Sequence, residues 1–283
     1  MKYPVLLPNI FDHPFTYESE LKLEVGDYVK VNFGKKIITG VIWDQFEKNT
    51  SKQFRIKSIE KKINIKPLKR QTIEFLNWFS KYNIVPLGMV LKLHLLSGNA
   101  VEIQNQNEYQ KYQEINKKEQ FKLSKEQEIA LKEIIINNNS FRVHLLQGTT
   151  GSGKTIVYFN AIKKIIENQK QCLILLPEIG LTGEFEKKFK NFFGFEAAIW
   201  HSKITPKRKK IIWSGLANNE IKVVIGARSA LFLPFQNLGL IIVDEEHDQS
   251  FKQDEGIIYN ARDMSIARAK SENIPINLVT AVP

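Results

Sequence analysis

The chain has a single cysteine in 283 residues, Cys172, and that scarcity excludes two kinds of architecture. One thiol cannot close an internal disulfide, and it cannot supply a four-cysteine zinc site. Cys172 begins the apolar run 172–176, which favours a buried small side chain over a reactive thiol. The sequence therefore predicts that this chain holds no zinc site.

Long apolar runs are also missing. No uninterrupted apolar segment approaches the roughly 20 residues that cross a bilayer. The N-terminus lacks the positive start, apolar centre and small-residue cleavage site of a signal peptide. Hydrophobic residues make up 43% of the chain, which is ordinary for a globular protein. We therefore expect a cytoplasmic protein with two domains, each with its own hydrophobic core, and no membrane partner.

The charge balance favours a polyanionic partner. The formal net charge is +11 and the pI is about 9.5. Lysine and arginine that neutralise phosphates release counterions, which favours binding to nucleic acid. However, segments such as 61–66 and 134–139 are rich in Lys, Ile and Asn, a bias that an AT-rich genome also produces. Charge alone leaves nucleic-acid binding open.

The chain divides into two regions of different pattern. Two β-type runs, 28–33 and 37–43, flank a turn signal near the N-terminus, and apolar spacing over 71–82 predicts a helix packed under that sheet. Residues 99–120 are polar and indicate a linker or an exposed helix. Beyond residue 121, buried-type strands alternate with helical patterns, which is typical of a parallel α/β sheet. The candidate strands are 143–146, 172–176, 223–225, 240–243 and 276–279.

A phosphate-loop motif follows the first of these strands. Residues 148–155 fit G-x-x-x-x-G-K-[ST] at every fixed position and precede a helical pattern. Backbone N–H groups of such a loop surround phosphate oxygens, its Lys reaches the β and γ phosphates, and its Thr binds Mg²⁺. The sequence predicts an ATP site formed by Gly148, Thr149, Thr150, Gly151, Ser152, Gly153, Lys154 and Thr155.

The acidic half of the site is predicted at the end of the strand 240–243. Asp244 is expected to hold Mg²⁺, and Glu245 to orient and polarise the attacking water. A strand that ends in acids is often only the start of a solvated loop. The phosphate loop upstream makes the catalytic interpretation the stronger one, with Lys154, Asp244 and Glu245 as the catalytic residues.

The motif Asp-Glu-Glu-His at 244–247 is that of superfamily 2 helicases, and its surroundings narrow the family. The chain resembles the PriA family of bacterial replication-restart helicases through several blocks in the family's order. The blocks are 145–155, 176–182, 201–202, 225–232, 240–248, 250–253 and 259–263. This resemblance implies an α/β P-loop RecA-like parallel sheet, the first helicase lobe, preceded by a small β-rich DNA-binding domain. The implied bounds are 1–98, 99–120 and 121–283.

The resemblance also implies roles for individual residues. Gln127 is the expected adenine-reading glutamine, although an exposed polar residue at a helix start is the simpler alternative. His247 is expected to couple bound DNA to the nucleotide site. Contacts with single-stranded and forked DNA are expected from Phe15, Gly34, Lys57, Pro177, Thr182, Arg228, Ser229, His247, Phe251, Lys252, Tyr259 and Arg262. Phe251 and Tyr259 would stack bases, with core packing as the alternative. Arg268 would attract the backbone or solvate a helix.

The sequence departs from the family pattern in ways that affect activity. Thr16 stands where the family has an Asp that would accept the terminal 3′ hydroxyl, and 99–120 is too short for the family's winged-helix domain. Residues 279–283 resemble motif III, where the chain stops. We therefore expect binding of ATP and DNA, slow turnover and no unwinding by these 283 residues alone. Other primosome proteins and single-strand-binding proteins are the expected protein partners.

Two other functions remain possible on sequence grounds. One is a non-motor module that binds fork DNA and uses ATP only as a switch. The other is a superfamily 2 translocase of the restriction or RNA-helicase kind, against which the blocks 226–232 and 251–263 argue.

Overall fold

The N-terminal region folds into a closed five-stranded barrel. The computed structural model describes residues 1–46, 56–95, 106–112, 122–136, 140–177 and 180–282. The strands are β1 (Lys2–Leu6), β2 (Phe15–Glu18), β3 (Tyr28–Phe33), β4 (Lys36–Ile42) and β5 (Lys57–Lys62), in the order β1-β2-β5-β3-β4. Neighbours pair antiparallel except β2 and β5, which are parallel. The interior is aliphatic, with Val5, Leu7, Val29, Val31 and Ile42 each at most 2% exposed.

The second region is a six-stranded parallel sheet. Its strands are β6 (Arg142–Gln147), β7 (Gln171–Leu175), β8 (Ala198–Trp200), β9 (Val223–Gly226), β10 (Leu238–Asp244) and β13 (Pro275–Thr280), in the order β6-β13-β10-β7-β9-β8. All five predicted strands are present and parallel, so the predicted α/β fold class is confirmed. The three-residue β8 was not predicted, because such a short run gives no periodicity. A two-stranded hairpin, β11 (Lys252–Gln253) and β12 (Tyr259–Asn260), lies outside the sheet.

Helices cover both faces of the sheet. Alternate residues of β7 point to opposite sides, so Cys172 and Ile174 join one core and Leu173 and Leu175 the other. The first core includes residues of α3 (Lys125–Ile135), α4 (Lys154–Glu167) and α5 (Gly183–Phe193). The second includes residues of α6 (Pro206–Ala217) and α7 (Ala261–Glu272). Among the described residues, no helix is both long and apolar enough to cross a bilayer.

Two helices connect the barrel to the sheet. The predicted helix over 71–82 is observed as α1 (Arg70–Asn83), followed by α2 (Leu87–Leu95). As predicted, α1 packs against the barrel, since Phe75 and Phe79 share one core with Tyr28 and Trp43. It also packs against α7, and the same two rings contact Phe232. The barrel meets α1 where Trp43 Nε1 donates to Asn77 Oδ1 at 3.2 Å. One apolar core therefore runs from the barrel into the second region.

The domain bounds 1–98, 99–120 and 121–283 stay a prediction. Most of the predicted linker lies outside the described residues. Its described part is a short 3₁₀ helix, Gln106–Tyr112, in which Tyr109 is 2% exposed and contacts Ser214 Oγ of α6 at 2.7 Å. This part of the segment packs against the second region.

Candidate functional site

The phosphate loop lies between β6 and α4, open to solvent. Gly151 and Gly153 have φ angles of +82° and +83°, a left-handed conformation that glycine adopts without a steric penalty. Lys154 Nζ donates to the carbonyl oxygens of Gly148 at 2.6 Å and Thr149 at 3.1 Å. Since Lys154 begins α4, its ammonium and the helix N-terminus both contribute positive potential to the loop. Thr149, Thr150 and Ser152 are exposed beside them.

Gln127 contacts this loop directly. Its Nε2 donates to Ser152 O at 2.9 Å, and a Cβ added to Gly153 would lie 2.4 Å from that nitrogen. Its Oε1 accepts from the backbone N–H of Ser124, which completes a capping box at the start of α3. Gln127 thus lies beside the phosphate loop, while its role as the adenine reader stays a prediction.

The acidic residues lie at the carboxyl end of β10. Asp244 accepts hydrogen bonds from Tyr158 Oη at 2.8 Å and from the backbone N–H of Glu245 at 3.0 Å. Burial raises the pKa of the Asp244 carboxyl, and the Tyr158 hydrogen bond opposes that rise. Glu245 has φ of +50°, a conformation that costs a non-glycine residue on the order of 1 kcal/mol. Strain at this position is consistent with a functional constraint on its side chain.

The end of β13 joins the two halves of the site. Thr280 O accepts from the N–H of Gly148 at 3.2 Å, and Thr280 Oγ1 lies 2.9 Å from His247 Nδ1. The N–H of Glu246 donates to Val279 O at 2.9 Å. The end of one β-strand, β13, therefore contacts both the phosphate loop and the motif 244–247. His247 lies between that strand end and Glu245, whose Oε2 is 3.8 Å from His247 Nε2.

The predicted strand-binding loops follow β7 and β9 at the same edge of the sheet. Thr182 is exposed and caps α5, with its Oγ1 accepting from Phe185 N, whereas Pro177 is buried. Arg228 Nη1 donates to Lys252 O at 2.6 Å, and Ser229 Oγ is 3.2 Å from Trp200 Nε1. Glu178 and Ile179, from the same motif block as Pro177, lie outside the described residues.

The aromatic segment after β10 corrects one prediction. Phe251 is 1% exposed and Tyr259 is 4% exposed, so neither presents a free face to a base. The Tyr259 ring packs edge-on against Phe79 at 5.4 Å and Phe232 at 5.6 Å. The core-packing alternative is what the structure shows, because Tyr259 packs against Phe79 of α1 and Phe251 belongs to the same buried core.

The basic residues near that segment differ in exposure. Lys252 is exposed and pairs with Asp254 at 3.0 Å, while Arg262 pairs with Glu246 at 3.2 Å and with Asp263 at 2.9 Å. Arg268 is fully buried and pairs with Glu272 at 3.3 Å. The expectation that Arg268 attracts the DNA backbone or solvates a helix is therefore wrong.

The three predicted barrel residues lie at one end of the barrel. Phe15 packs edge-on against Phe33 at 5.3 Å, the residue before Gly34. Gly34 has φ of +62° and open space beside its Cα, and its carbonyl oxygen accepts from Lys57 Nζ at 3.4 Å. Phe11 and His13 extend the aromatic cluster beside Phe15. The structure thus brings these residues together with an open face at the glycine.

Sequence reasoning missed a buried polar residue, His94. It is fully buried, and its ring nitrogens contact Tyr28 Oη at 2.9 Å and Phe232 O at 2.8 Å. Burial lowers the pKa of His94 to about 4. A lone histidine in the apolar helix α2 gives no sequence signal, since its partners are 66 and 138 residues away.

Two family models match the chain. Residues 4–96 match the model described as the PriA 3′ DNA-binding domain. Residues 120–279 match the model described as "Type III restriction enzyme, res subunit".

Curated relatives match over different shares of their length. The replication restart protein PriA of Rickettsia prowazekii (strain Madrid E) is 40% identical over 285 residues, covering 99% of this chain and 42% of that protein. PriA of Bacillus subtilis (strain 168) is 40% identical over 169 residues, covering 59% of this chain and 21% of that protein. The chain spans less than half the length of these relatives. Among solved structures, RecG bound to a three-way DNA junction is 29% identical, with a TM-score of 0.46, over 58% of this chain and 22% of RecG.

Proposed function

Because this chain belongs to the PriA family of replication restart proteins, we propose that it forms the ATP-binding part of a DNA helicase. Its residues 120–279 match the family described as "Type III restriction enzyme, res subunit". The main support for this proposal is that Thr280, at the carboxyl end of β13, contacts both Gly148 of the phosphate loop and His247 of the acidic motif. The whole protein would use ATP to move 3′ to 5′ on DNA and restart stalled replication forks, which would place it in the bacterial cytoplasm.

The nucleotide roles follow from the donor set at this edge. Lys154 binds the β and γ phosphates, the loop N–H groups bind phosphate oxygens, and Gln127 contacts adenine. Thr155 and Asp244 offer a hydroxyl and a carboxylate, the oxygen ligands that Mg²⁺ prefers. Asp244 accepts two hydrogen bonds and retains lone pairs for a cation, so its environment fits the ion. Bound Mg²⁺ would neutralise phosphate charge, while Glu245 takes part in orienting the attacking water.

The DNA roles fall on two surfaces. The loops with Pro177, Thr182, Arg228 and Ser229 hold single-strand phosphates, and His247 connects that strand to the nucleotide. The barrel end with Phe15, Gly34 and Lys57 holds a 3′ end at a fork, where the exposed Phe11 and the half-buried Phe15 offer stacking surface. Lys252 and Arg262 contact the DNA backbone by exchanging their carboxylate partners, Asp254 for Lys252 and Glu246 and Asp263 for Arg262, for phosphates. Other primosome proteins and single-strand-binding proteins are the proposed protein partners.

Nucleotide binding is tested by a matched pair of lysine substitutions on α4. Lys154→Ala removes the ammonium from the phosphate loop and is expected to weaken binding of a fluorescent ATP analogue by at least about 100-fold, a loss of about 2.7 kcal/mol. Lys164→Ala, which removes a surface lysine 3.5 Å from Glu167, is expected to change that affinity by less than about twofold. Equal affinities of the two variants would overturn the nucleotide site.

Hydrolysis by the purified 283-residue chain tests the motor function. We expect slow turnover with single-stranded DNA, because related hydrolases gain roughly 10³ to 10⁵ in rate from an arginine contributed by another element. Glu245→Gln should lower even that rate without loss of nucleotide affinity. Fork binding that survives Lys154→Ala and is indifferent to ATP would instead favour a non-motor binding module.

A further inference from the structure

The turn Arg228–Phe232 is held by two buried side chains from distant parts of the chain. Arg268 Nη1 of α7 donates to Leu231 O, and His94 of α2 contacts Phe232 O at 2.8 Å. Both side chains are 0% exposed. Two consecutive carbonyls at the end of this turn are thus held by one charged and one polar side chain, both buried from solvent.

The His94 contact has a defined direction. A carbonyl oxygen can only accept, so His94 Nδ1 carries the hydrogen and donates to Phe232 O. Nε2 is then the acceptor of the Tyr28 hydroxyl at 2.9 Å. Tyr28 belongs to barrel strand β3 and is 1% exposed. A continuous path of two hydrogen bonds therefore leads from the barrel to the turn.

The Arg268 contact belongs to a similar buried cluster. Its Nη2 lies 3.3 Å from both Thr72 Oγ1 and Glu272 Oε1, and Thr72 donates to Glu272 at 3.2 Å. Thr72 is on α1, which leads directly from the barrel. The second clamp on the turn thus also depends on the N-terminal region.

The other end of the turn carries the strand-binding candidates. Arg228 and Ser229 are its first two residues, and they contact Lys252 O and Trp200 Nε1. Because the turn has only five residues, we expect displacement of its last carbonyls to change the direction of its first side chains. We propose that His94 and Arg268 are positioning residues for single-strand binding, and that the barrel fixes the strand-binding turn through Tyr28 and His94. This inference rests on the proposed strand-binding role of Arg228 and Ser229.

Tyr28→Phe tests the path with little change in shape. It removes one hydroxyl and leaves His94 Nε2 without its donor. The matched control is Tyr17→Phe, another barrel tyrosine at 4% exposure, whose hydroxyl donates to Asn32 O within the barrel. His94→Leu removes both contacts and serves as the second variant. The probe is an oligo-dT of about 12 nucleotides with a 3′ phosphate, which leaves no free 3′ hydroxyl for the barrel end.

The expected result separates positioning from general damage. Tyr28→Phe should weaken oligo-dT binding about fivefold, while affinity for a fluorescent ATP analogue and oligo-dT binding by Tyr17→Phe stay within about twofold of wild type. In a background that carries both Arg228→Ala and Ser229→Ala, Tyr28→Phe should have no further effect on oligo-dT affinity, because both positioned side chains are gone. Wild-type affinity in Tyr28→Phe, or an additive loss in that background, would overturn the proposal.

Hydrogen exchange keeps the inference testable without DNA. In the free protein, Tyr28→Phe should speed amide exchange in a peptide covering 228–235 by at least about threefold, and Tyr17→Phe should not. Unchanged exchange overturns the positioning role. If exchange speeds up but Arg228→Ala binds oligo-dT as the wild type does, then the proposed strand-binding role fails while the positioning of the turn stands.

Discussion

The proposed nucleotide site, formed by 148–155 and 244–247, and the proposed DNA-strand site, formed by the turn Arg228–Phe232 and the segment 251–263, are held in different ways. They are called the nucleotide side and the strand side of the sheet. The phosphate loop and the acidic motif are joined by neighbouring strand ends, where Thr280 contacts Gly148 and His247. The turn Arg228–Phe232 and the aromatic segment after β10 are instead packed under α1 and α2, which belong to the N-terminal region. The first site depends on its own sheet, and the second depends on how two regions pack.

This difference implies that damage to the packing between the regions should separate the two sites. Such damage should leave nucleotide affinity unchanged, whereas it should weaken DNA-strand binding and lower the stability of the protein.

Arg268→Met should have the largest effect. It leaves the buried Glu272 with only Lys69, whose Nζ lies 3.6 Å from Oε2, as an ionic partner, and breaking a buried ion pair typically costs about 3–5 kcal/mol. We expect that loss in the free energy of unfolding, measured with urea. Adding Glu272→Gln should recover part of it, because the buried carboxylate, which then has only the longer contact with Lys69, is removed.

The control for Arg268 is a more exposed arginine of the same helix. Arg262→Met removes pairs with Glu246 and Asp263 from a side chain that is 36% exposed, so the loss should stay below about 1 kcal/mol. Folded Arg268→Met should bind an ATP analogue within about twofold of wild type. A large loss of nucleotide affinity would show that the two sides are not independent.

Stability should fall in acid because of His94. The folded pKa of about 4 lies below the ordinary 6.5, since burial and the nearby Arg268 charge disfavour the imidazolium. The unfolded chain therefore binds the proton first, and stability present above about pH 6.5 is lost as pH falls towards 4, up to about 3 kcal/mol.

Urea unfolding at about pH 7.5 and about pH 4.5 checks this expectation. His94→Asn keeps a donor for Phe232 O but cannot titrate, so its stability should change less between the two pH values. Subtracting the pH dependence of the variant's stability from that of the wild type leaves the contribution of His94. The contributions of the carboxylates and of His144 cancel, although burial lowers the pKa of His144 as well. Parallel pH dependence in the two proteins would contradict the assignment.

The sequence was sufficient to predict those parts of the fold and the site whose contacts lie within one short segment of the chain. The phosphate loop, the acidic motif and five strands follow from spacing and apolar runs, because residues 148–155 and 244–247 each carry their chemistry within one short segment. The strand side needed contacts across the chain: Tyr28 reaches His94 over 66 positions, and His94 reaches Phe232 over 138. Phe251 and Tyr259 show the consequence, since their aromatic pattern is the same whether α1 covers them or leaves them free.

Tyr259→Ala distinguishes packing from base stacking. It opens a cavity beside Phe79 and Phe232 and should cost about 3 kcal/mol of stability. Tyr259→Phe retains the ring, so stability should change by less than about 1 kcal/mol and oligo-dT affinity by less than about twofold. If Tyr259→Ala left stability intact and weakened only oligo-dT binding, the stacking interpretation would return.

Thr182→Ala should have the smallest effect. The Thr182 hydroxyl caps α5 by accepting from Phe185 N, so its loss should cost about 1 kcal/mol. Thr205→Ala is the matched control, since Thr205 caps α6 in the same way by accepting from Arg208 N. Urea unfolding should report similar losses for the two variants.

Oligo-dT affinity then separates the two threonines. A hydroxyl that accepts one hydrogen bond can still donate its own hydrogen to a phosphate oxygen. Thr182→Ala should therefore weaken oligo-dT binding about threefold, Thr182→Ser should restore it, and Thr205→Ala should leave it unchanged. Equal affinity of both alanine variants would reduce Thr182 to a helix cap, and the strand side would then rest on Arg228 and Ser229, the residues that the N-terminal region holds in place.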